Sequence, residues 1–362
     1  MCSPARLDPG SQRKRAIVSY RFVAGVYRGL WAGGGAEVGA DRMPHRAPDQ
    51  RNPLWRAYQF MLFSCAFLVA SPLGGYSYQM TSEIKAASAH GPSFLRWAGS
   101  KRKSLALLSL AYQNSDHHYI EPFAGSAALF FCLKPRQGTL ADLNGHLVNA
   151  MRHVRDQPRA IHRHLNLMPR TSRAYYQARA KFNEMRPYGI RAAVLFVYLN
   201  RNCFNGLWRT NSTGEFNVPY GGTEMGGNPP VSLLELCSKS LKCVSLKHQD
   251  FRITIEEASK GSFIYADPPY FTSTERTFIE YGKKSFGEKD LRDLVGGLVQ
   301  ASKRGAHVAL TYNEAMPIHG IPRDWLRTRF EVTRNVGGFS GARKRQVEIL
   351  YTNRPVKRID PK

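Results

Sequence analysis

The residues with the clearest chemical potential lie in Ser262-Phe-Ile-Tyr-Ala-Asp-Pro-Pro-Tyr270. Phe263 to Ala266 predict a buried strand, which places Asp267 at its carboxyl end, where open α/β sheets bind ligands. Pro268 and Pro269 cannot continue a central strand, so they lock the turns that follow and leave carbonyl acceptors without competing N–H donors. Tyr270 adds a flat aromatic face. A carboxylate, a carbonyl and a ring together suit a planar amino group such as adenine N6. Both N6 hydrogens can be accepted and the base stacked, which favours a pyramidal nitrogen and frees its lone pair for attack. Standing alone, the same tetrapeptide could be a proline turn between a strand and a helix.

A second constellation sits upstream, in Tyr119-Ile-Glu-Pro-Phe-Ala-Gly-Ser-Ala-Ala-Leu-Phe-Phe-Cys-Leu133. Tyr119 and Ile120 end a short strand, Pro122 to Ser126 form a turn, and a helix starts at Ala127. Gly125 lets the backbone bend sharply and approach a ligand without a Cβ, and the helix start offers free N–H groups and the positive end of a dipole. Gly138-Thr-Leu-Ala-Asp-Leu-Asn144 predicts the next strand, ending in Asp142. A carboxylate there accepts hydrogen bonds from ribose hydroxyls in α/β nucleotide sites. Strand, glycine turn, helix, strand and acid read as half of a doubly wound nucleoside-binding sheet; the plainer alternative makes Asp142 a helix cap.

These elements sit in a chain of 362 residues with formal net charge +25. At 43% hydrophobic and 11% aromatic, the chain can bury a large core, which excludes wholesale disorder, and its length allows about two domains. The charge suggests a polyanionic partner, nucleic acid before an anionic membrane. Cys2, Cys65, Cys132, Cys203, Cys237 and Cys243 include no C-x-x-C pair, so neither a disulfide scaffold nor a zinc ribbon is expected. They read as reduced cytosolic thiols.

Residues 1–80 carry only +6 of the charge and lack a sustained period of 3.6 or 2. The apolar run Phe60–Ala70 spans 11 residues, short of the roughly 20 a membrane helix needs. With Arg51 and Arg56 before it, it could imitate a signal peptide starting at Met43. The preferred reading is an over-called start, with Met80 as the real beginning and residues 1–80 outside the fold.

Between Asp142 and Asp267 lies a long insert. Arg191–Asn200 predicts an apolar helix, and basic residues such as Arg159, Arg163, Arg170, Arg173 and Arg179 punctuate the helices before it. The stretch Arg201-Asn-Cys-Phe-Asn-Gly-Leu-Trp-Arg-Thr-Asn-Ser-Thr-Gly-Glu-Phe-Asn-Val-Pro219 mixes Arg, Asn, Gly and aromatics without either period. Arg can bind guanine bidentately, Leu or Pro can touch a thymine methyl, and an aromatic can fill the space left by a flipped base. Packing of the insert is the competing explanation. Further on, Val336–Arg345 predicts a flexible basic loop whose Arg343, Lys344 and Arg345 suit phosphates, before Gln346–Tyr351 returns as the second strand of a hairpin.

The stretches Phe94-Leu-Arg-Trp-Ala-Gly-Ser-Lys101, Glu121-Pro-Phe-Ala-Gly-Ser126, Leu140-Ala-Asp-Leu-Asn144, Leu199–Arg209, Gly214-Glu-Phe-Asn-Val-Pro219 and Asp267-Pro-Pro-Tyr270 occur in that order. Over about residues 93–353 the chain resembles the Dam-type (D12 class) family of adenine-N6 DNA methyltransferases. The resemblance implies an α/β doubly wound Rossmann-like methyltransferase sheet with a mainly helical DNA-recognition insert: a catalytic core over 90–155 and 240–355, and an insert over 156–239. It implies that S-adenosylmethionine is the cofactor, double-stranded DNA the partner, and Asp267, Pro268, Pro269 and Tyr270 the catalytic residues. It further implies that Trp97, Lys101, Phe123, Gly125, Asp142, Asp250 and Phe251 hold the cofactor. Arg96, Phe204, Asn205, Leu207, Arg209 and Pro219 would contact DNA, with a GATC-like site. Two positions depart from the family pattern: Ser100 and Ala127 stand where it has glycine. No metal and no membrane partner is expected, and the enzyme is expected to be a cytoplasmic monomer. The competing readings are methylation of RNA or of a protein amide, where Asn often replaces the first Asp, and a DNA-binding protein that has lost catalysis. Asp267, the long insert and the intact tetrapeptide argue for DNA and for activity.

Overall fold

A computed structural model describes residues 68–70, 76–78, 93–113, 117–223, 226–270, 286–316, 318–335 and 343–356, with backbone alone for 68–70, 76–78, 333–335 and 343–345. Its frame is a seven-stranded sheet, extended at one edge by two short strands. The seven are β3 (His118–Glu121), β4 (Gly138–Asp142), β5 (Val244–His248), β6 (Ser262–Ala266), β7 (His307–Asn313), β8 (Leu326–Asn335) and β9 (Arg343–Thr352). Residues alternate across a strand, and here both faces are covered. In β6, Phe263 and Tyr265 enter one apolar cluster while Ile264 and Ala266 enter the other. Tyr119 and Ile120 of β3 divide in the same way. Two-sided burial explains why these strands read as continuous apolar runs rather than alternating ones.

The spatial order is β8-β9-β7-β6-β3-β4-β5. β6 pairs in parallel with β3 and β7, and β4 with β3 and β5, while β9 runs antiparallel between β7 and β8. From β3 the chain winds outward through α2 (Ala128–Leu133) to β4; from β6 it winds the opposite way through α9 (Glu288–Lys303) to β7. The order therefore reverses between β3 and β6. Their carboxyl ends, at Glu121 and Asp267, flank the crevice where such sheets bind ligands.

Before β3, a 3₁₀ turn, Arg102–Ser104, is followed by α1 (Leu105–Ser109). Between β4 and β5 the chain runs through α3 (Gly145–Asp156) and then, over the expected insert, through α4 (Pro158–Asn166), α5 (Ser172–Asn183), α6 (Gly189–Asn202) and α7 (Val231–Leu241). Asn144 and Thr171 cap α3 and α5 by accepting from Leu147 N–H and Ala174 N–H. α6 is buried continuously from Ala192 to Asn200, which fits its nearly unbroken apolar sequence. The insert has no separate core. Tyr175, Phe196, Val218 and Leu234 share one apolar cluster with Phe94, Tyr119 and Phe263 of the sheet region.

Two expectations need correction. Within the segment set aside as outside the fold, β1 (Leu68–Ala70) and β2 (Tyr76–Tyr78) pair with each other, and Tyr76 and Ser77 pair in parallel with Thr328 and Arg329 of β8. The free edge of β8 offers backbone groups to any extended segment, so a strand can add there without a periodic pattern of its own. The rest of residues 1–80 lies outside the described residues. The hairpin of β8 and β9 forms as expected, but Arg343, Lys344 and Arg345 open β9 opposite Asn335, Arg334 and Thr333 instead of lying in the loop. Their side chains and the loop 336–342 lie outside the described residues.

Candidate active site

Asp267 follows the last residue of β6, and its side chain reaches back to two other segments. Lys101 Nζ donates to both carboxylate oxygens, at 2.6 and 2.7 Å, and the Thr311 hydroxyl of β7 donates to Oδ1 at 2.9 Å. Lys101 Nζ also lies 3.6 Å from Oε2 of Glu348, a fully buried residue of β9. The Tyr270 hydroxyl donates to Glu348 Oε1 at 2.7 Å, and its ring packs edge-on against Tyr312 at 5.2 Å. Burial pushes the Asp267 carboxyl above the usual carboxylate range; Lys101 opposes the shift and Glu348 adds to it. Glu121, at the neighbouring strand end, is raised further by its burial, although the Tyr119 hydroxyl donates to it at 2.9 Å.

The glycine turn forms the adjacent wall. Asp142 accepts from the Gly125 N–H at 3.0 Å and the Asn144 N–H at 2.9 Å, tying the end of β4 to the turn after β3. Gly125 has φ +46°, and a Cβ there would meet Trp97 Nε1 at 2.9 Å. The turn therefore needs glycine for its backbone conformation and for the indole that lies against it. Ser100 accepts from the Ser126 hydroxyl at 3.1 Å, so this departure from the family pattern ties two loops together. The other departure carries strain: Ala127, the N-cap of α2, sits in the left-handed region at φ +50°, ψ +39°. An L side chain there costs about 1–2 kcal/mol, partly offset by glycine's greater entropy loss on folding. Ala127→Gly is thus expected to raise stability by about 0.5–1 kcal/mol, read as a higher denaturant midpoint at unchanged m-value. A lower midpoint would remove strain as the explanation.

Opposite this wall, Phe123 stacks on Phe251 at 5.2 Å, and Phe286 meets both rings at 5.9 and 6.0 Å. Asp250 caps α8 (Phe251–Glu256) by accepting from the Arg252 N–H. The Arg252 guanidinium binds Asp250, Asp290 and Asp293 and lies 4.4 Å over the Phe251 ring. Burial opposes its charge, but the three carboxylates hold Arg252 above its usual value. A single cavity of about 1130 Å³ is lined by Trp97, Lys101, Phe123, Gly125, Asp142, Asp250 and Phe251, and also by Asp267, Pro268, Pro269 and Tyr270. All eleven candidates for cofactor and catalysis thus meet in one space. Among the described residues, no group of His, Cys, Asp or Glu is arranged to hold a metal ion, and no helix is long and apolar enough to cross a membrane.

Residues 97–336 match the family described as D12 class N6 adenine-specific DNA methyltransferase. The chain belongs to this family. It is 32% identical over 273 residues to the type II methyltransferase M1.LlaDCHI of Lactococcus lactis, covering 72% of this chain and 94% of that one. It is 31% identical over 286 residues to the type II methyltransferase M.MjaIII of Methanocaldococcus jannaschii, covering 72% and 98%. The DNA adenine methylase of Escherichia coli K12 is 30% identical over 277 residues, covering 73% and 95%. The chain is accordingly an adenine-N6 DNA methyltransferase, and its fold is the Rossmann-like sheet that the motifs imply.

In this methyltransferase the DNA candidates stand apart from the cavity wall. Phe204 and Asn205 lie in a 3₁₀ turn, Phe204–Gly206, with Asn205 left-handed at φ +53°. The Phe204 N–H donates to the carbonyl of exposed Pro219, and bridges Cys203–Tyr220 and Thr210–Phe216 close the loop. Leu207 is half-buried against the apolar cluster. Arg209 Nε donates to Asn217 Oδ1 at 2.9 Å. Arg96 Nη1 donates to the Arg201 carbonyl at 3.3 Å, and its backbone is clasped by the Asn200 amide. Trp208 links the two regions: it packs on Phe196 and Phe216, stacks on Trp97 at 6.4 Å, and lines the cavity.

Thr311, Glu348, Phe286, Arg252 and Trp208 escape the motif reading. Glu348 had a detectable signal. It shares the buried face of β9 with Leu350, so a charge occupies a position where period-2 alternation calls for an apolar residue. The others depend on contacts between distant segments.

Proposed function

We propose that this adenine-specific DNA methyltransferase takes its methyl group from S-adenosylmethionine and delivers it to an adenine flipped out of duplex DNA at a specific, GATC-like site. The observation that carries this reading is the common cavity, in which the Asp267 tetrapeptide faces the Gly125 turn and Asp142. The residues fit the cofactor. Asp142 is an acceptor for ribose hydroxyls, the Phe123 and Phe251 rings and Asp250 suit an adenine, and Gly125 with Trp97 suits the rest of the molecule. When bound, S-adenosylmethionine supplies an electrophilic methyl group on a sulfonium.

The chain's own groups then act on the base. Tyr270 offers a face to the flipped adenine, while Asp267 and the Pro268 carbonyl accept the N6 hydrogens and hold the nitrogen for in-line attack. Proximity and fixed acceptors are the sources of rate, with no covalent enzyme intermediate. Asp267 need not act as a classical base, since the proton can leave after transfer. The insert loop would supply readout through Arg209, Leu207 and Pro219, with Phe204 entering the space left by the base. The family's base-reading Lys is Arg96 here, which also has donors for guanine.

The test is incubation of the full chain with methyl-labelled S-adenosylmethionine and duplex DNA, RNA or protein, followed by mapping of methylated bases. Label is expected in N6-methyladenine of duplex DNA at one short sequence. Label in RNA or protein alone, or DNA binding without label, would replace this reading with one of its competitors.

A further inference from the structure

Glu348 is a carboxylate that the scheme above leaves without a task. It is 0% exposed, yet it faces two groups of the cavity: it accepts the Tyr270 hydroxyl hydrogen bond at 2.7 Å, and its Oε2 lies 3.6 Å from Lys101 Nζ. A buried carboxylate is costly unless it is paired. The Lys101–Asp267 pair, closed at 2.6 and 2.7 Å, forms without it. Stability alone therefore gives little reason for a second acid.

Chemistry supplies one. Lys101 occupies both oxygens of Asp267 and balances its charge. A neutralised pair is a weak partner for a nitrogen that is becoming cationic. Attack by its lone pair gives N6 a fourth bond, to the methyl carbon, and a positive charge, while the bond from that carbon to the donor sulfur breaks and leaves its electron pair on the sulfur. N6 keeps the charge until one of its hydrogens leaves as a proton through Asp267 to water, the N–H electron pair staying on nitrogen. Asp267 with Lys101 faces that charge with no net charge, whereas the same two groups with Glu348 face it with one net negative charge. We propose that Glu348 is a positioning residue for methyl transfer: it shares the Lys101 ammonium, so that an Asp267 oxygen can turn to the adenine amino group, and it fixes Tyr270 through the hydroxyl. This rests on the cavity being the methyl-transfer site.

The groups facing Asp267 make the idea testable. They are Lys101, the Thr311 hydroxyl from β7, Glu348 from β9, Glu121 from β3 and Tyr265 from its own strand. Glu348 raises the proton affinity of Asp267, so removing its charge lowers that affinity. The experiment compares Glu348→Gln, which keeps size and an oxygen for Tyr270, with Glu348→Asp, which keeps charge. Single-turnover methylation of adenine-containing duplex is followed against pH, with cofactor affinity and thermal unfolding measured on the same proteins. Glu348→Gln is expected to slow transfer by about 10²-fold, to shift the acid limb of the rate profile to lower pH, and to leave cofactor affinity within a few-fold. Glu348→Asp is expected to keep the limb in place and to lie nearer the unaltered chain in rate. A normal rate with an unmoved limb in Glu348→Gln overturns the proposal. So does a Glu348→Asp rate no better than that of Glu348→Gln. If Glu348→Gln does not fold, Glu348→Asp decides: a moved limb or a loss of about 10²-fold overturns the proposal. The unaltered chain on the same duplex is the control, and failure to form N6-methyladenine there rejects the methyl-transfer reading itself.

Discussion

Asp267→Ala is expected to lower the rate of methyl transfer by about 10²–10³-fold, the usual cost of removing a preorganised group aimed at developing charge. The structure indicates why the protein should survive the change. Lys101 keeps Glu348 nearby and donates to the Gly99 carbonyl at 3.2 Å, so its ammonium is not stranded. Thr311 loses one acceptor. Of the groups assigned to the cofactor, Asp142 is tied to Gly125 and Phe123 to Phe251, none of the four to Asp267; Lys101 is the member of that set that binds it. Cofactor affinity, titrated by calorimetry, should therefore stay within a few-fold while single-turnover transfer collapses. Wild-type turnover in this variant would remove Asp267 from the mechanism. Equal losses in binding and in rate would make it a structural residue.

The contrast between Asp267 and its partners shows what a sequence exposes and what it hides. Strand β6, the proline turn after it and the Gly125–Asp142 unit are each encoded within a short stretch. Apolar runs, prolines that end a strand and a glycine at a turn act locally, so their consequences can be read locally. Lys101 and Asp267 are 166 positions apart, and their pairing follows only once the first loop is folded over the end of β6. Lys101 illustrates this: the motif marks it for the cofactor, and it does line the cavity, but its direct partner is the Asp267 carboxylate. The insert poses the same difficulty on a larger scale. Its helix α6 is legible as an apolar run, whereas the merging of the insert's apolar faces with the sheet into one cluster is not. β1 and β2 were invisible because edge pairing uses backbone groups, which leave little trace in side-chain pattern. Ala127 makes the opposite point. A residue that breaks the motif was visible in the sequence, and only φ +50° shows that the backbone kept the glycine conformation regardless.

Arg209→Ala is expected to cost about 1–3 kcal/mol of binding on the cognate duplex and to relax preference at one base pair. Its surroundings make this a test of readout rather than of folding. The loop around it is held by the Asn217 N–H to Arg209 carbonyl bond at 3.1 Å and by the bridge between Thr210 and Phe216. Trp208, the neighbouring residue, is fixed by Phe196 at 4.8 Å and Phe216 at 4.9 Å. Truncating Arg209 leaves all of these in place and frees only Asn217 Oδ1. Because Asn217 engages Nε, the terminal Nη groups are the fork that remains to meet a guanine edge. Arg343 provides the comparison. At the start of β9, it is assigned to phosphate, so Arg343→Ala should weaken binding alike on every sequence and make the salt slope shallower by about one unit. Both variants are titrated against cognate and scrambled duplexes at several salt concentrations. If Arg209→Ala weakens both duplexes equally while Arg343→Ala alters base preference, the two roles are exchanged. If neither variant changes binding, the basic residues of these two segments serve only as solvated surface, and readout must come from elsewhere in the insert.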